Sequence, residues 1–542
     1  MTIRTVFVGA LVAATLAASA RTTPAAGSGL APPVPPVPRG RALAALAESS
    51  HVLVAVTEGA DTRRLLVRAG ARLVSEPLGI WQIDGSDAPA LVPLLTRQGV
   101  LRYAEPDRVR RRSGHLDQGD PLLDLTWHIP RVGADRVEPP GPGRPITILD
   151  TGLDLEHQEF ATRPNLELVN GQSPKGWGEV RYHGTAIASI AGAPSDGRGT
   201  VGVYPESALR IYELADLEDS TIIAGIDAVL GTGPTVINIS IGGPGYSRAL
   251  YEAVMRAVDA GSVVVAAAGN DFPFGNPEIY PADYPHVVTV GATGKNDLPA
   301  GFSSASPAVD LAAPGVNIPV AHPSDEILFS LFTGTSFAAP TVSAAAAWIW
   351  TVRPDLDRTQ VGEILRQSAD DVAKKGFDNR TGFGLLDIPA ALGEPAPAPD
   401  PLEPNDDVDL VSARGIFGVA KPALTIPGNG WSRLRARIDA AEDPGDVYRV
   451  VVPARTTLGV RLTSKQDVGV TLWRPETKTV HAREGTAKLY RLDSSDAPKA
   501  AAERVEWRNG KAKPVTVYLE VWLPGRAGAS TRADYTLRLT RS

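Results

Sequence analysis

At 542 residues with 43% hydrophobic content, the chain is too long for one ordinary domain and apolar enough to bury several cores. A formal net charge of -7, from 54 basic and 61 acidic residues, makes neither nucleic acid nor an anionic membrane surface an expected partner. With no cysteine in the sequence, disulfides, thiolate metal sites and cysteine nucleophiles are all excluded, and stability must come from packing.

Residues 1–20 carry Arg4, an apolar run from Val6 and the small-x-small pattern Ala18-Ser19-Ala20, which is the order of a secretory signal peptide. Secretion to the extracellular space is therefore expected. The apolar run is short for a bilayer span, so no stable membrane association is expected. Residues 21–49 are rich in Pro and Ala and read as an extended linker. A small α+β unit follows over 50–113: "HVLVAV", "LGIWQIDG" and "VLRYAEP" read as strands, and "ADTRRLLVRAG" and "ALVPLLTRQG" carry helical spacing. It ends in "VRRRSGHLDQGD", an exposed connection that a protease would cut readily.

Residues 120–392 alternate apolar runs with helical patterns. "PITILD", "ALRIYEL", "TVINIS", "SVVVAAAG" and "HVVTVGA" are the expected strands, with helices over "STIIAGIDAVLG" and "SRALYEAVMRAVDAG". Continuous Val/Ile strands separated by helices predict a buried, largely parallel sheet covered on both faces. Function in such a sheet gathers at the carboxyl ends of the strands, which is where Asp150 ends one strand and Asn270 follows another. Residues 393–404 place proline at close intervals, as in a semi-rigid tether. Over 405–542, short alternating runs such as "TLGVRLTS" and "ADYTLRLTRS" predict an antiparallel β-sandwich.

Three stretches of the central region each hold one member of a nucleophilic set: "ILDTGLD" with Asp150, "RYHGTAIASIAGA" with His183, and "GTSFAAP" with Ser336. Serine needs a base to take its proton, imidazole is suited to that near neutral pH, and a carboxylate on the other ring nitrogen fixes the tautomer. Taken one at a time, the same residues also suit a turn cap, a helix start and a helix N-cap. Ser336 is expected to begin a helix, with Pro340 near its first turn.

Together and in the order Asp, His, Ser, these motifs resemble those of the subtilisin-like serine proteases, and "VINISIGG" and "VVVAAAGN" extend the likeness between His183 and Ser336. The resemblance implies a secreted serine endopeptidase acting through an acyl-enzyme, needing no cofactor for its chemistry. It implies Asn270 as the oxyanion donor beside the Ser336 N–H. An extended peptide or protein substrate would pair with Ser240, Ile241 and Gly242, and its P1 side chain would enter a slot walled by Ala267, Ala268 and Gly269. Ile279, bulky at the base of that slot, suggests a shallow apolar pocket, whereas Asp271 at the rim suggests a basic P1.

The resemblance also makes 50–113 an inhibitor-type propeptide, an intramolecular partner that blocks the cleft until a cut between Val109 and Asp120. The tail from "LEPNDD" is similar to C-terminal β-sandwich modules of secreted bacterial peptidases, with polymer binding, secretion or stability as its alternative roles. Structural calcium is compatible with the family but is not placed. The acids Asp216, Glu218 and Asp219 have the donor type for calcium, but a solvated surface turn is the favoured reading. Phe337 stands where many relatives carry methionine, so peroxide sensitivity at that position should be low. Two alternatives stay open: a serine-carboxyl peptidase with a glutamate base, against which "HGT" argues, and a catalytically inactive scaffold displaying the sandwich.

Overall fold

The computed structural model of the chain describes residues 43, 46–47, 51–57, 59–75, 79–106, 122, 125–171, 181–322, 329–426, 430–481, 488–497, 502–524 and 532–542. The expected signal peptide, nearly all of the 21–49 linker and the junction from Val109 to Asp120 lie outside the described residues. Two compact units are present, Met1–Arg112 and Ser113–Ser542.

In the first unit, strands His51–Val56, Arg72–Ser75, Ile80–Asp84 and Leu101–Pro106 form an antiparallel sheet with helices Ala60–Arg68 and Ala88–Arg97. Val52, Val54, Leu66, Trp81, Ile83 and Leu95 close its core. The Arg72–Ser75 strand was not an expected element: four residues give too little alternation to show a period.

The second unit is built on a seven-stranded sheet of β1 (Ile146–Asp150), β2 (Leu166–Leu168), β3 (Leu209–Glu213), β4 (Val236–Ile239), β5 (Val263–Ala267), β6 (Val287–Thr293) and β7 (Val309–Pro314), ordered β7-β6-β5-β4-β1-β3-β2. Every pairing in it is parallel, as the unbroken apolar strands predicted. Helices α1 (Arg181–Gly192), α2 (Asp219–Leu230), α3 (Arg248–Asp259) and α4 (Thr335–Val352) cover both faces. Successive residues of β1 show the split: Ile148 packs in the core with Ala186 and Ala344 of α1 and α4, and Leu149 in the core with Ile226 and Val254 of α2 and α3. Helix α4 is a core element, buried along nearly all its length, which is why its sequence carries alanines and no charge. The order in which strands are added reverses at β1, which lies between β3 and β4, and the crevice at that switch point is where Asp150 ends its strand.

The tail folds as two four-stranded antiparallel sheets. Strands β8 (Trp431–Asp439), β9 (Gly445–Val452), β10 (Thr457–Ser464), β11 (Gly469–Trp473), β12 (Arg491–Ser495), β13 (Glu503–Arg508), β14 (Val515–Trp522) and β15 (Arg532–Arg541) pair as β8-β15-β10-β13 and β9-β14-β11-β12. Ile438, Val450, Leu462, Leu519 and Leu537 fill the space between them. The proline-rich stretch before the sandwich is docked, unlike a free tether: Gln360 Nε2 donates to Pro397 O at 2.7 Å and Arg353 Nη1 to Glu394 O at 2.6 Å. Arg366, on the helix Arg358–Gln367, meets Asp310 at 2.6 Å and Glu442 of the sandwich at 2.7 Å. Its neighbour Glu363 receives Arg437 at 3.2 Å and also pairs with Arg532. Charged groups this buried demand partners, so the ion network fixes the sandwich against the parallel-sheet region.

Candidate active site

Asp150 is fully buried, and its Oδ1 accepts the Thr151 N–H at 2.7 Å. Its carboxylate meets His183 Nδ1 at 2.8 Å through Oδ1 and 3.1 Å through Oδ2. The approach of α1 to the end of β1 requires glycine, because a Cβ on Gly184 would lie 2.1 Å from Gly152 O. Gly152 itself has φ +95°, a conformation that favours glycine. Thr151 Oγ1 accepts the Gly184 N–H at 3.0 Å, so the "DTG" and "HG" motifs form one local joint. Burial alone would depress the His183 pKa, but the charge of Asp150 and its hydrogen bond outweigh that, and the group stands above its usual value.

Ser336 is the second residue of α4, which begins at Thr335. Its N–H is therefore one of the first-turn donors without a helical acceptor. Its hydroxyl donates to Ser240 O at 2.8 Å and is not hydrogen-bonded to His183. The Ser240 hydroxyl in turn donates to Ser336 O at 2.9 Å.

The free Ser336 carbonyl has a cause four residues on. Pro340 is the sixth residue of α4 and lies in the second turn, not near the first as expected; lacking an N–H, it leaves the carbonyl of residue 336 without its helical donor. Ser240 supplies that donor and is itself held by Asn238 Nδ2 at 3.0 Å, while Ser343 Oγ donates to Asn238 Oδ1 at 2.9 Å. Of this buried polar chain, Ser240 was expected as a substrate-pairing residue, whereas Asn238 and Ser343 were not among the expected site residues. Its only sequence signal is Asn238, one amide inside the apolar run "TVINIS".

Asn270 Oδ1 accepts both the Thr335 N–H at 2.9 Å and the Thr335 hydroxyl at 3.1 Å, and Thr335 Oγ1 accepts the Gly269 N–H at 3.1 Å. With Oδ1 committed on that side, the Asn270 amide nitrogen is left as a donor for the cleft. Thr335, fully buried, is thus a positioning residue, and the threonine before the serine was its unused signal.

A cleft of about 340 Å³ joins these groups, lined by His183, Ser240, Ile241, Gly242, Ala267, Gly269, Asn270, Asp271, Ile279 and Ser336. Ala268 is not part of the lining: it is buried, with its N–H bonded to Val290 O at 3.0 Å. Leu217, 56% exposed on the wall, was missed because a lone exposed leucine carries no sequence signal. Ile279 is buried at the cleft, and a Cβ on Gly269 would come within 2.7 Å of its Cγ1.

Among the described residues, the acids able to share a cation lie elsewhere than Asp216, Glu218 and Asp219: Asp216 Oδ1 accepts the Glu218 N–H at 2.9 Å in a surface bend, and Asp219 begins α2. His286, Glu403, Asp406 and Asp443 bring ligand atoms within 4.8 Å of one another, as do Asp400, Glu403 and Asp446. Four carboxylate oxygens there, Asp400 Oδ1, Glu403 Oε1, Asp406 Oδ1 and Asp443 Oδ1, are buried without a hydrogen-bond partner. Burial, then repulsion from neighbouring acids, raises Asp400 to about 8, and burial raises Asp446 to about 6. This is an oxygen-rich, under-neutralised donor set, which fits a hard divalent cation such as calcium.

Comparison with known proteins gives the family. Residues 141–384 match the sequence profile of the subtilase family. The chain is 34% identical to subtilisin DY of Bacillus licheniformis over 276 residues, 49% of this chain and 98% of the relative. It is also 34% identical to a subtilisin of Bacillus pumilus over 252 residues, 45% of this chain and 90% of the relative. The crystal structure of fervidolysin from Fervidobacterium pennivorans aligns over 90% of this chain and 92% of its own at 19% identity, with a TM-score of 0.47.

Proposed function

Given that the chain belongs to the subtilase family and is a serine endopeptidase, we propose that Ser336, His183 and Asp150 carry its chemistry. The observation behind this reading is the buried Asp150–His183 pair opening onto the cleft that Ser336 lines. Ser336 Oγ leaves Ser240 O, passes its proton to His183 Nε2 and attacks the scissile carbonyl carbon. Asp150 holds the Nδ1–H and stabilises the imidazolium. The oxyanion receives Asn270 Nδ2 and the Ser336 N–H at the positive end of α4. His183 then protonates the leaving amine, and water, activated by the same imidazole, releases the acyl group. Casein hydrolysis by the matured protein, abolished in Ser336→Ala, is the expected result; hydrolysis surviving that change would refute the assignment.

The substrate is proposed to lie extended along Ser240, Ile241 and Gly242, pairing through main-chain hydrogen bonds that tolerate many sequences. Because Ile279 occupies the space beneath Gly269, we favour small or medium apolar P1 residues; Asp271 on the lining supports the basic alternative.

Secretion and synthesis as a zymogen with 50–113 as propeptide are part of the same proposal. N-terminal sequencing should place the start of the active form between Val109 and Asp120, and an active enzyme beginning near Ala20 would refute it. Calcium is proposed at Glu403, Asp406, Asp443 and their neighbours. There it would supply counter-charge to buried carboxylates and no catalytic step.

A further inference from the structure

The outer face of the sheet β8-β15-β10-β13 carries a line of arginines that catalysis does not use and that stand outside the sandwich core. Arg433 on β8 stands directly opposite Arg538 on β15, Arg538 opposite Arg461 on β10, and Arg461 opposite Arg504 on β13. All four are exposed, while their chain neighbours Leu462, Val505, Leu537 and Leu539 point into the sandwich core. None makes an ion pair with a described residue. Like charges placed directly across a sheet repel, so this row works against stability unless something anionic lies on it.

The surroundings extend the surface. Trp431, 47% exposed, lies two residues from Arg433 on the same strand, and the Arg538 guanidinium sits 4.5 Å from its ring centre. On the other side, a groove of about 710 Å³ is lined by Arg433, Arg435, Lys465, Thr463 and Thr536. Two acids, Asp400 and Asp534, also line that groove: Asp400 Oδ2 accepts the Arg437 N–H at 3.0 Å and Asp534 is taken by the Arg437 guanidinium at 2.8 Å; Glu506 lies across from Gly459 on the row beside the arginines.

We propose that this face is a docking surface for a linear acidic polysaccharide. Strand separation spaces the arginines at about 4.8 Å across the sheet, and each guanidinium fork matches a carboxylate or sulfate group. The Trp431 ring offers one flat apolar platform, suited to the C–H face of a sugar. Single-stranded nucleic acid instead calls for a series of aromatic platforms, and among the exposed large hydrophobic side chains Trp431 is the one this face supplies. Docking there would hold the protease on an acidic glycan matrix through a part of the chain separate from the cleft.

The test uses the full chain carrying Ser336→Ala, which cannot digest itself, titrated with fluorescein-labelled heparin at low and moderate salt. Saturable binding is expected, weakened at least tenfold by the double change Arg461→Gln, Arg538→Gln. The dependence of log affinity on log salt should become shallower by about two, roughly one per arginine removed. The thermal midpoint of the double variant should equal or exceed that of its parent, since a like-charge row has been relieved. If the double variant fails to fold, Arg504→Gln at the end of the row provides the same comparison. No saturable binding by the parent, equal binding by a folded variant, or tighter binding to an oligo-dT strand or to phosphatidylserine vesicles than to heparin would overturn the proposal. Because binding is read without catalysis, either result leaves the assignment of the active site untouched.

Discussion

Two histidine–aspartate pairs stand in the same unit at the same distance and behave in opposite ways. His183 meets Asp150 at 2.8 Å, and its pKa is raised; His286 meets Asp406 at 2.8 Å, and its pKa is lowered. The difference lies in surroundings. The His183 side chain is 22% exposed at a cleft; burial is the largest single effect on it, but the charge of Asp150 and its hydrogen bond together outweigh that. The His286 side chain is 3% exposed; burial comes first there, and the cations Arg358 and Arg366 add to it, so that together they outweigh Asp406. A hydrogen-bonded carboxylate does not by itself make a histidine basic. Access to solvent and the sign of the next charges decide whether the pair can move a proton or only hold structure.

The largest expected effect separates the pairs outright. His183→Ala should lower kcat by about 10⁶ with little change in KM; it also costs stability, because the Asp150 carboxylate it leaves is buried. His286→Ala should leave kcat/KM within a few-fold while costing about 3 kcal/mol of stability, since it strips the partner from a buried carboxylate. Steady-state kinetics and denaturant unfolding on both variants check this, and matching losses of kcat from the two would erase the distinction.

Asp150→Asn comes next, with kcat down by about 10⁴ through loss of the required tautomer. It also tests the cause of the raised pKa. In the parent, activity should fall as pH drops through the His183 value, with a midpoint above the ordinary 6.5. In the variant only burial remains, and the midpoint should move below it. The stability linkage has its own sign: a pKa raised on folding stabilises fully below the unfolded value, and that contribution is lost as pH rises through the folded value. The His183–Asp150 pair therefore supports the fold more in mild acid than in mild base.

Asn270→Ala should reduce kcat by about 10²–10³, roughly 3–4 kcal/mol, with KM nearly constant. A loss confined to KM would make Asn270 a binding residue. The smallest effect on activity falls on the acidic cluster. Chelation should lower the thermal midpoint, with a loss of about 2.7 kcal/mol when calcium had been present at a hundredfold excess over its dissociation constant. Turnover per folded molecule at low temperature should stay unchanged. Identical melting with and without chelator would argue against calcium there.

Much of this was legible in the sequence where a motif concentrates its signal. The strands with unbroken Val/Ile runs, the helices between them and the stretches around Asp150, His183, Ser336 and Asn270 could all be read locally. What escaped is what topology assembles. The reciprocal Ser240–Ser336 bonds and the Asn238–Ser343 link join residues about a hundred positions apart, and the released Ser336 carbonyl shows only once Pro340 is placed in the second turn. The acids of "LEPNDD" were visible as a motif, yet their convergence with Asp443, Asp446 and His286 depends on where the sandwich docks. Strands β8 and β13 were passed over because their outward positions are crowded with arginine, which hides an alternating pattern inside a charged run.

The most direct measurement is covalent labelling of the matured protein with a serine-directed phosphonate, the adduct being located by peptide mass spectrometry. A single adduct on Ser336, absent in Ser336→Ala and strongly slowed in His183→Ala, is the predicted result. An adduct on another serine, or an active protease that takes up no label, would contradict the account.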